Sequence, residues 1–530
     1  MLIPTLAAGL PNSQMSSSEE EEPEEDLVPG RALWRNTEEY LEAREQKASS
    51  DLMPWAPPES GAVKKYLDKL LNIRPLYYLE MQEVFEFQLK PGDNFKDALS
   101  IDTVNAIRQA DEADDKVYEL MTGLMRDPGG YDTLLLLLLH AQIDRPDLVR
   151  LITREEESRQ ALTDYYEAAG GAAGAWRNAR GWLDESKSTT DWFGIEQDDD
   201  GLVRKIDMPD NDVRGSLGDF MGKLEDARIV DLRNNHVIGA LPPSLGGCAA
   251  LQVLDLRDNE LRGSIPEQLS LCTNLRALRL QHNMLSGGIP PGFSALVNLR
   301  ELGLEGNKLA GSMEEELFAD MPHLEDLELR RNNFFGPLPA SLAKCTALRR
   351  LSLGANMHTE VLPALGDCAS LEVVFIQRNR FSGELPPGLG GCTSLKHFIA
   401  FNNKLRGVVP PELGMCHTLL ELDLSSNMLE GHIPPSFGRL GRLAVLDLSS
   451  NKLTGRIPRE LGMCVSLYSI KLNSNRLTGK VPPELLDLRR LKHLFLHDNE
   501  LSGLKDAYYM LNAKNGLTFH LSCGPHFPKE

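Results

Sequence analysis

From about residue 201 onward the apolar and polar positions of this chain follow one repeating order. In "LQVLDLRDNELRGSIP" (residues 251–266) the recurring apolar positions are Leu251, Leu254, Leu256, Leu261 and Ile265, and "LAVLDLSSNKLTGRIP" (residues 443–458) copies the arrangement. Alternate leucines such as Leu254 and Leu256 predict a short strand with one face in a core. Gly263 and Pro266 then punctuate a return leg that carries a second extended segment and a short helix. The Asn of each copy recurs from Asn211 to Asn499. Ten of the twelve intervals are 24 residues; Asn307 to Asn332 is 25 and Asn356 to Asn379 is 23. One copy of this length has no opposite layer to bury its leucines, so the copies must stack. The Asn side chains then fall in one column, where they are predicted to satisfy buried backbone groups as a ladder. Thirteen strands spaced about 4.8 Å apart give an array roughly 60 Å long.

The pattern L-x-x-L-x-L-x-x-N-x-L-x-G-x-I-P resembles a leucine-rich repeat, and its G-x-I-P half resembles the plant-specific subclass. The array is similar to the repeat region of plant and protist receptor-like proteins, without a kinase domain. This resemblance implies an α/β fold, a right-handed horseshoe-shaped or superhelical leucine-rich repeat solenoid of about 13 repeats over residues 201–504. A lead-in at residues 161–200 resembles the entry cap of such arrays through Tyr165, Gly170, Gly171, Trp176, Trp182, Trp192 and Gly194. These tryptophans are expected to seal the first repeat. In secreted plant relatives a cysteine follows the W-x-G-[IV] motif; here Glu196 and Gln197 follow Ile195.

Cys248, Cys272, Cys345, Cys368, Cys392, Cys416 and Cys464 each stand eleven residues before a ladder Asn. Leu224, Leu296, Met321, Leu440 and Leu488 fill the same column elsewhere, so cysteine is expected to act as a small core hydrophobe. A metal site needs ligands converging at short spacings, which one column does not provide. With Cys523, these thiols point to a reducing compartment.

The segment before the array divides by composition. Residues 1–60 carry "SSSEEEEPEED" and are expected to form an acidic disordered tail. Residues 61–160 show three- and four-residue apolar spacing and are expected to form an α-helical module centred on Leu134 to Leu139. Residues 505–530 are assigned to a C-terminal cap.

Charge and motifs narrow the function. A net charge of −21 argues against nucleic acid, whose binding rests on Lys and Arg neutralising phosphates. The longest leucine run is far short of a membrane span. No N-x-S/T sequon occurs, and no signal peptide is recognisable. The kinase motifs, Walker A, H-E-x-x-H and G-x-S-x-G are absent. The expectation is a monomeric cytoplasmic protein without cofactor or metal, not an enzyme, that binds another protein. A cell-surface sensor lacking its kinase, or a regulator of a partner enzyme, remains an alternative, as does a membrane-associated or surface location.

The concave face would carry the residues six, four, two and one before each Asn. Most are polar, as at Asp231, Arg233, Asp255, Arg257, Asp423, Ser425, Asp447 and Ser449. Two adjacent strands depart from this, with Val373 and Phe375 on one and His397, Ile399 and Phe401 on the next. An exposed apolar cluster bordered by Arg330, Arg331, Arg350 and Arg378 has the composition of a protein contact patch. The alternative is that these aromatics pack on each other or under the N-terminal helices.

Overall fold

The computed structural model of the chain describes residues 146–184, 189–198, 201–360, 365–503 and 518–520. The acidic tail, the helical module up to residue 145, Cys523 and the C-terminal cap apart from residues 518–520 lie outside these residues.

A sheet of fifteen strands runs through the array. It opens with Ile195–Gln197 antiparallel to Val203–Asp207, and every later neighbour, from Ile229–Asp231 to Thr518–His520, is parallel. Each central strand has three residues, too few to stand alone, so its stability comes from its neighbours. The register puts like beside like: Leu254 pairs with Leu278, Leu278 with Leu302, and Val374 with Phe398. All of these are fully buried, which makes the middle strand position the spine of the core.

The return legs carry five-residue 3-10 turns such as Glu267–Leu271 and Pro387–Gly391. A proline at the preceding cap, Pro266 or Pro386, fixes the extended entry into each turn. Leu269 and Leu389 then point into the core with 0% exposure.

The predicted Asn ladder is present. Asn259 Oδ1 accepts from the Val237 amide at 2.9 Å, while its Nδ2 donates to the carbonyls of Leu232 and Leu256 at 2.9 and 3.1 Å. Asn475 repeats the arrangement with Leu453, Leu448 and Leu472.

The cysteines do more than fill space. Cys248, Cys272, Cys392, Cys416 and Cys464 each donate Sγ–H to a carbonyl in the preceding repeat, at 3.0 to 3.4 Å. Burial pushes their thiols up to about 11 or 12. They are buried free thiols, chemically quiet at neutral pH.

The second extended segments form smaller sheets of four, three, two and three strands. One interruption falls between Met357–His358 and Ser382–Gly383, across the 23-residue repeat. His358 sits there, fully buried and stacked between Phe334 and Phe381 at 6.3 and 5.7 Å. Neither ring nitrogen has a hydrogen-bond partner, and burial lowers its pKa to about 4.

At the entry, a helix spans Pro146–Ala168 and crosses the boundary expected between residues 160 and 161. No helix among the described residues is long and apolar enough to cross a membrane. Tyr165, Trp176, Trp182 and Trp192 are buried and pack ring on ring, with centroids 4.8 to 5.9 Å apart. Gly215, with φ 86, lets the helix end close on the first repeat, because a Cβ there would overlap the Ala168 carbonyl. Arg154 pairs with Glu225 at 2.7 Å.

Candidate partner-binding site

The positions that flank each buried strand centre face away from the core. Val373 stands beside His397 and Phe375 beside Ile399 in the parallel register. Cross-strand neighbours on one face lie close enough to pack against one another. Ile399 is 8% exposed, while Val373, Phe375, His397 and Phe401 are half-buried. The expected cluster therefore exists as a group, but its apolar side chains are partly covered rather than exposed. Among the described residues the most exposed large apolar side chains lie elsewhere, at Leu271, Met463 and Val465.

The arginines divide into two kinds. Arg350 is held by Glu328 at 3.0 Å and Asp326 at 3.8 Å, so it belongs to an internal charge network and not to a free basic rim. His397 likewise approaches Glu421 at 3.3 Å. Arg330 reaches Glu305 only at 4.0 Å, and its Nε is buried without a hydrogen bond. Arg331 and Arg378 are exposed and pair with no carboxylate among the described residues. Arg378 lies over the Phe401 ring at 5.7 Å, in cation–π range.

These side chains surround one cleft of about 300 Å³, lined by Arg330, Arg331, Ala355, Gln377, Arg378 and Phe401. The sequence explains why it is open. The residues two and one before Asn356 are Gly354 and Ala355, which present no side chain and a methyl. Arg330 and Arg331 stand on one side of this floor, with Gln377, Arg378 and Phe401 on the other. A Cβ at Gly354 would come within 2.9 Å of Gln377 Cδ, so Gly354 lets the glutamine lie across. Gln377 is 8% exposed, and its Oε1 is buried with no partner. Backbone bonds tie four successive levels together: Arg331 N donates to Gly354 O at 2.9 Å, Ala355 N to Gln377 O at 2.8 Å, and Arg378 N to Phe401 O at 2.9 Å.

The residue before each ladder Asn has a left-handed backbone, with φ between 54 and 57 wherever it is not glycine. In the other repeats it is Asp, Asn, Ser, His or Gly, as at Asp258, His282 and Ser450. Across three consecutive repeats it is Arg331, Ala355 and Arg378. Asn and Asp tolerate this conformation best after glycine, so arginine there is a departure from the column's habit.

Of the nine residues expected at the site, Arg330, Arg331, Arg378 and Phe401 line the cleft. Val373, Phe375, His397 and Ile399 lie together on two neighbouring strands outside its lining, and Arg350 is set apart by its carboxylates. Reading the strand faces alone missed Ala355 and Gln377. The signal was available in the column before the Asn, where residue types change together over three repeats.

Leucine-rich repeat family models match residues 227–285 and 297–357, and again 370–392, 418–440 and 442–464. The matched stretches are leucine-rich repeats. The chain's repeats are of the plant type, and they resemble those of PEPR1 in its crystal structure with AtPEP1. Identity to PEPR1 is 28%, with a TM-score of 0.59 over 67% of this chain and 54% of that one. This leucine-rich repeat chain thus spans about half the length of the PEPR1 chain. The Arabidopsis HAESA ectodomain, solved with an extended IDA peptide, is 27% identical over 65% of this chain and 66% of its own, with a TM-score of 0.49. A leucine-rich repeat protein of Leptospira interrogans is also 27% identical, over 58% and 75%, with a TM-score of 0.49. No curated protein matches the chain by sequence.

Proposed function

We propose that this leucine-rich repeat protein is a non-catalytic adaptor that binds a protein partner on its concave face. The contact residues are Arg330, Arg331, Val373, Phe375, Arg378, His397, Ile399 and Phe401. One observation carries the reading. Elsewhere on this face charges are consumed internally, as in Asp255 with Arg257 at 2.8 Å and Asp447 with Lys471 at 3.0 Å. Around the cleft, arginines and half-buried phenyl rings keep their capacity for another molecule. Aromatic and Arg side chains together are what interface hot spots are made of. The likeness to PEPR1, solved together with AtPEP1, supports ligand binding by an array of this kind. That same likeness favours a second reading, a cell-surface sensor of receptor type without its kinase.

A quantitative pull-down tests the first reading. Wild type is compared with a Phe375→Ala/Phe401→Ala/Arg378→Glu variant of matched circular dichroism and melting. Proteins captured by wild type and lost by the variant support the concave site; equal capture sinks it. Fractionation of the source cell separates the two readings, a cytosolic pool supporting the adaptor and a membrane or secreted pool the sensor.

A further inference from the structure

We infer that the Arg330–Arg331–Arg378 cleft is a receptor for a dianionic phosphate ester, carried on a phosphorylated side chain of the protein partner. The inference rests on the adaptor reading and adds the chemistry of what is recognised.

The argument begins with charge. The chain carries −21 overall, yet none of the side chains lining this cleft is acidic and three of them are guanidinium groups. Arg331 and Arg378 stand two strand spacings apart, roughly 10 Å, so their side chains converge across the Gly354–Ala355 floor. Like charges held around one space repel; elsewhere on this face Arg279 is answered by Glu301 at 2.6 Å and Lys471 by Asp447 at 3.0 Å, whereas no side chain lining this cleft is acidic. A single carboxylate entering the cleft would leave a surplus of two positive charges. A phosphate monoester brings close to two negative charges at neutral pH and several strong acceptor oxygens. It therefore answers more of the cleft's charge and more of its donors. Arginine forks pair with phosphate oxygens two bonds at a time, and arginine clusters are the common device for reading phosphorylated motifs.

Two further features belong to residues that line the cleft. Arg330 Nε is a buried donor without a hydrogen-bonded acceptor, which a phosphate oxygen would provide. Gln377 Oε1 is a buried acceptor without a donor, in a side chain less than a tenth exposed. A peptide ligand offers that donor in a backbone N–H near its phosphorylated residue. Phe401, fixed under Arg378, makes one wall apolar and leads onto the Phe375–Ile399 surface, where the side chain of a neighbouring residue would rest. The left-handed backbone at Arg331 and Arg378 keeps both arginines at the rim, at a position where the other repeats use shorter side chains.

The test uses the full chain and a degenerate peptide library with a central phosphoserine, compared with the same library carrying serine. Binding is read by fluorescence anisotropy, with inorganic phosphate as a separate probe. Arg331→Gln and Arg378→Gln remove charge at exposed positions, and Asp447→Asn is a control on the same face. The expected result is phosphorylated peptides bound at least roughly tenfold tighter than the serine library, lost in both arginine variants and kept in the control. Equal binding of the two libraries, or no binding of either, overturns the inference. So does phosphopeptide binding that survives both arginine variants. Inorganic phosphate binding as tightly as the phosphopeptides reassigns the cleft to a small phosphate and overturns the protein source. The adaptor reading fails separately, if the Phe375→Ala/Phe401→Ala/Arg378→Glu variant captures the same proteins as wild type.

Discussion

Two stretches of this array share one backbone and differ in what they leave unfinished. From Asp423 to Lys471 the concave side chains close on themselves. Ser425 Oγ donates to Asp423 at 2.6 Å, Ser449 Oγ to Asp447 at 2.6 Å, and Lys471 pairs with Asp447 at 3.0 Å. From Arg331 to Phe401 the equivalent positions hold Arg331 and Arg378 without carboxylate partners among the described residues, a Gly–Ala gap, and rings that are half covered. The ladder and the core run through both without a break. The difference shows that in a repeat fold the scaffold and the recognition surface are specified by separate columns. A column facing inward has one acceptable chemistry; a column facing outward is free to vary.

The largest expected effect tests the shared part. Phe398→Ala and Leu446→Ala, one from each stretch and both 0% exposed, should each destabilise by about 3–5 kcal/mol in urea melts. A much smaller loss at Phe398 would mean that the core itself is looser under the cleft. Next, Asn379→Ala removes an acceptor for His358 N at 3.0 Å and a donor to Leu353 O at 2.9 Å. Asn451→Ala does the same for Leu429 and Leu424. Both should lose about 1–3 kcal/mol, since buried backbone groups are left unpaired.

The third comparison separates the stretches. Arg378→Glu with Phe401→Ala should weaken partner capture by about 2 kcal/mol or more with little change in melting, whereas Asp447→Ala with Ser449→Ala should leave capture intact. Capture lost in both would spread the site over the whole face and erase the contrast.

His358 gives a smaller effect, with a pH signature. Its folded pKa, about 4, lies below the usual 6.5, so the unfolded chain takes up the proton first. Its contribution is complete above pH 6.5 and is lost as pH falls through that value toward 4. His358→Phe should continue the Phe334–Phe381 stack, raise stability by about 1 kcal/mol at neutral pH, and flatten that part of the pH–stability curve. Unchanged pH dependence would remove His358 from the account. Smallest of all, Arg331→Asn or Arg378→Asn should stabilise by up to about 1 kcal/mol while weakening binding, because Asn accepts the left-handed backbone more readily. Destabilisation would mean that the arginines serve the fold rather than a partner.

Legibility in the sequence followed the same division. The period, the strand at each L-x-L, the Asn ladder and the core position of the cysteines could all be read from spacing, because stacking makes every repeat test the same rule. The thiol hydrogen bonds to the preceding repeat could not, since they depend on how far one turn sits from the next. At the site, residues counted back from the Asn did land on one face. That Arg350 is tied to Glu328 while Arg331 is free of carboxylates is a matter of side-chain reach between neighbouring strands. The expected exposure of Phe375, Ile399 and Phe401 failed for a related reason: adjacent strands bring large side chains close enough to cover one another.

What the sequence determined by itself is the repeat, its register and the chemical type of each inward column, because a 24-residue period leaves each apolar side chain one place to be buried. What only the tertiary structure decided is the cleft. Its floor, walls and arginines come from four repeats, and they become one site only when stacking sets Gly354 and Ala355 between Arg331 and Arg378.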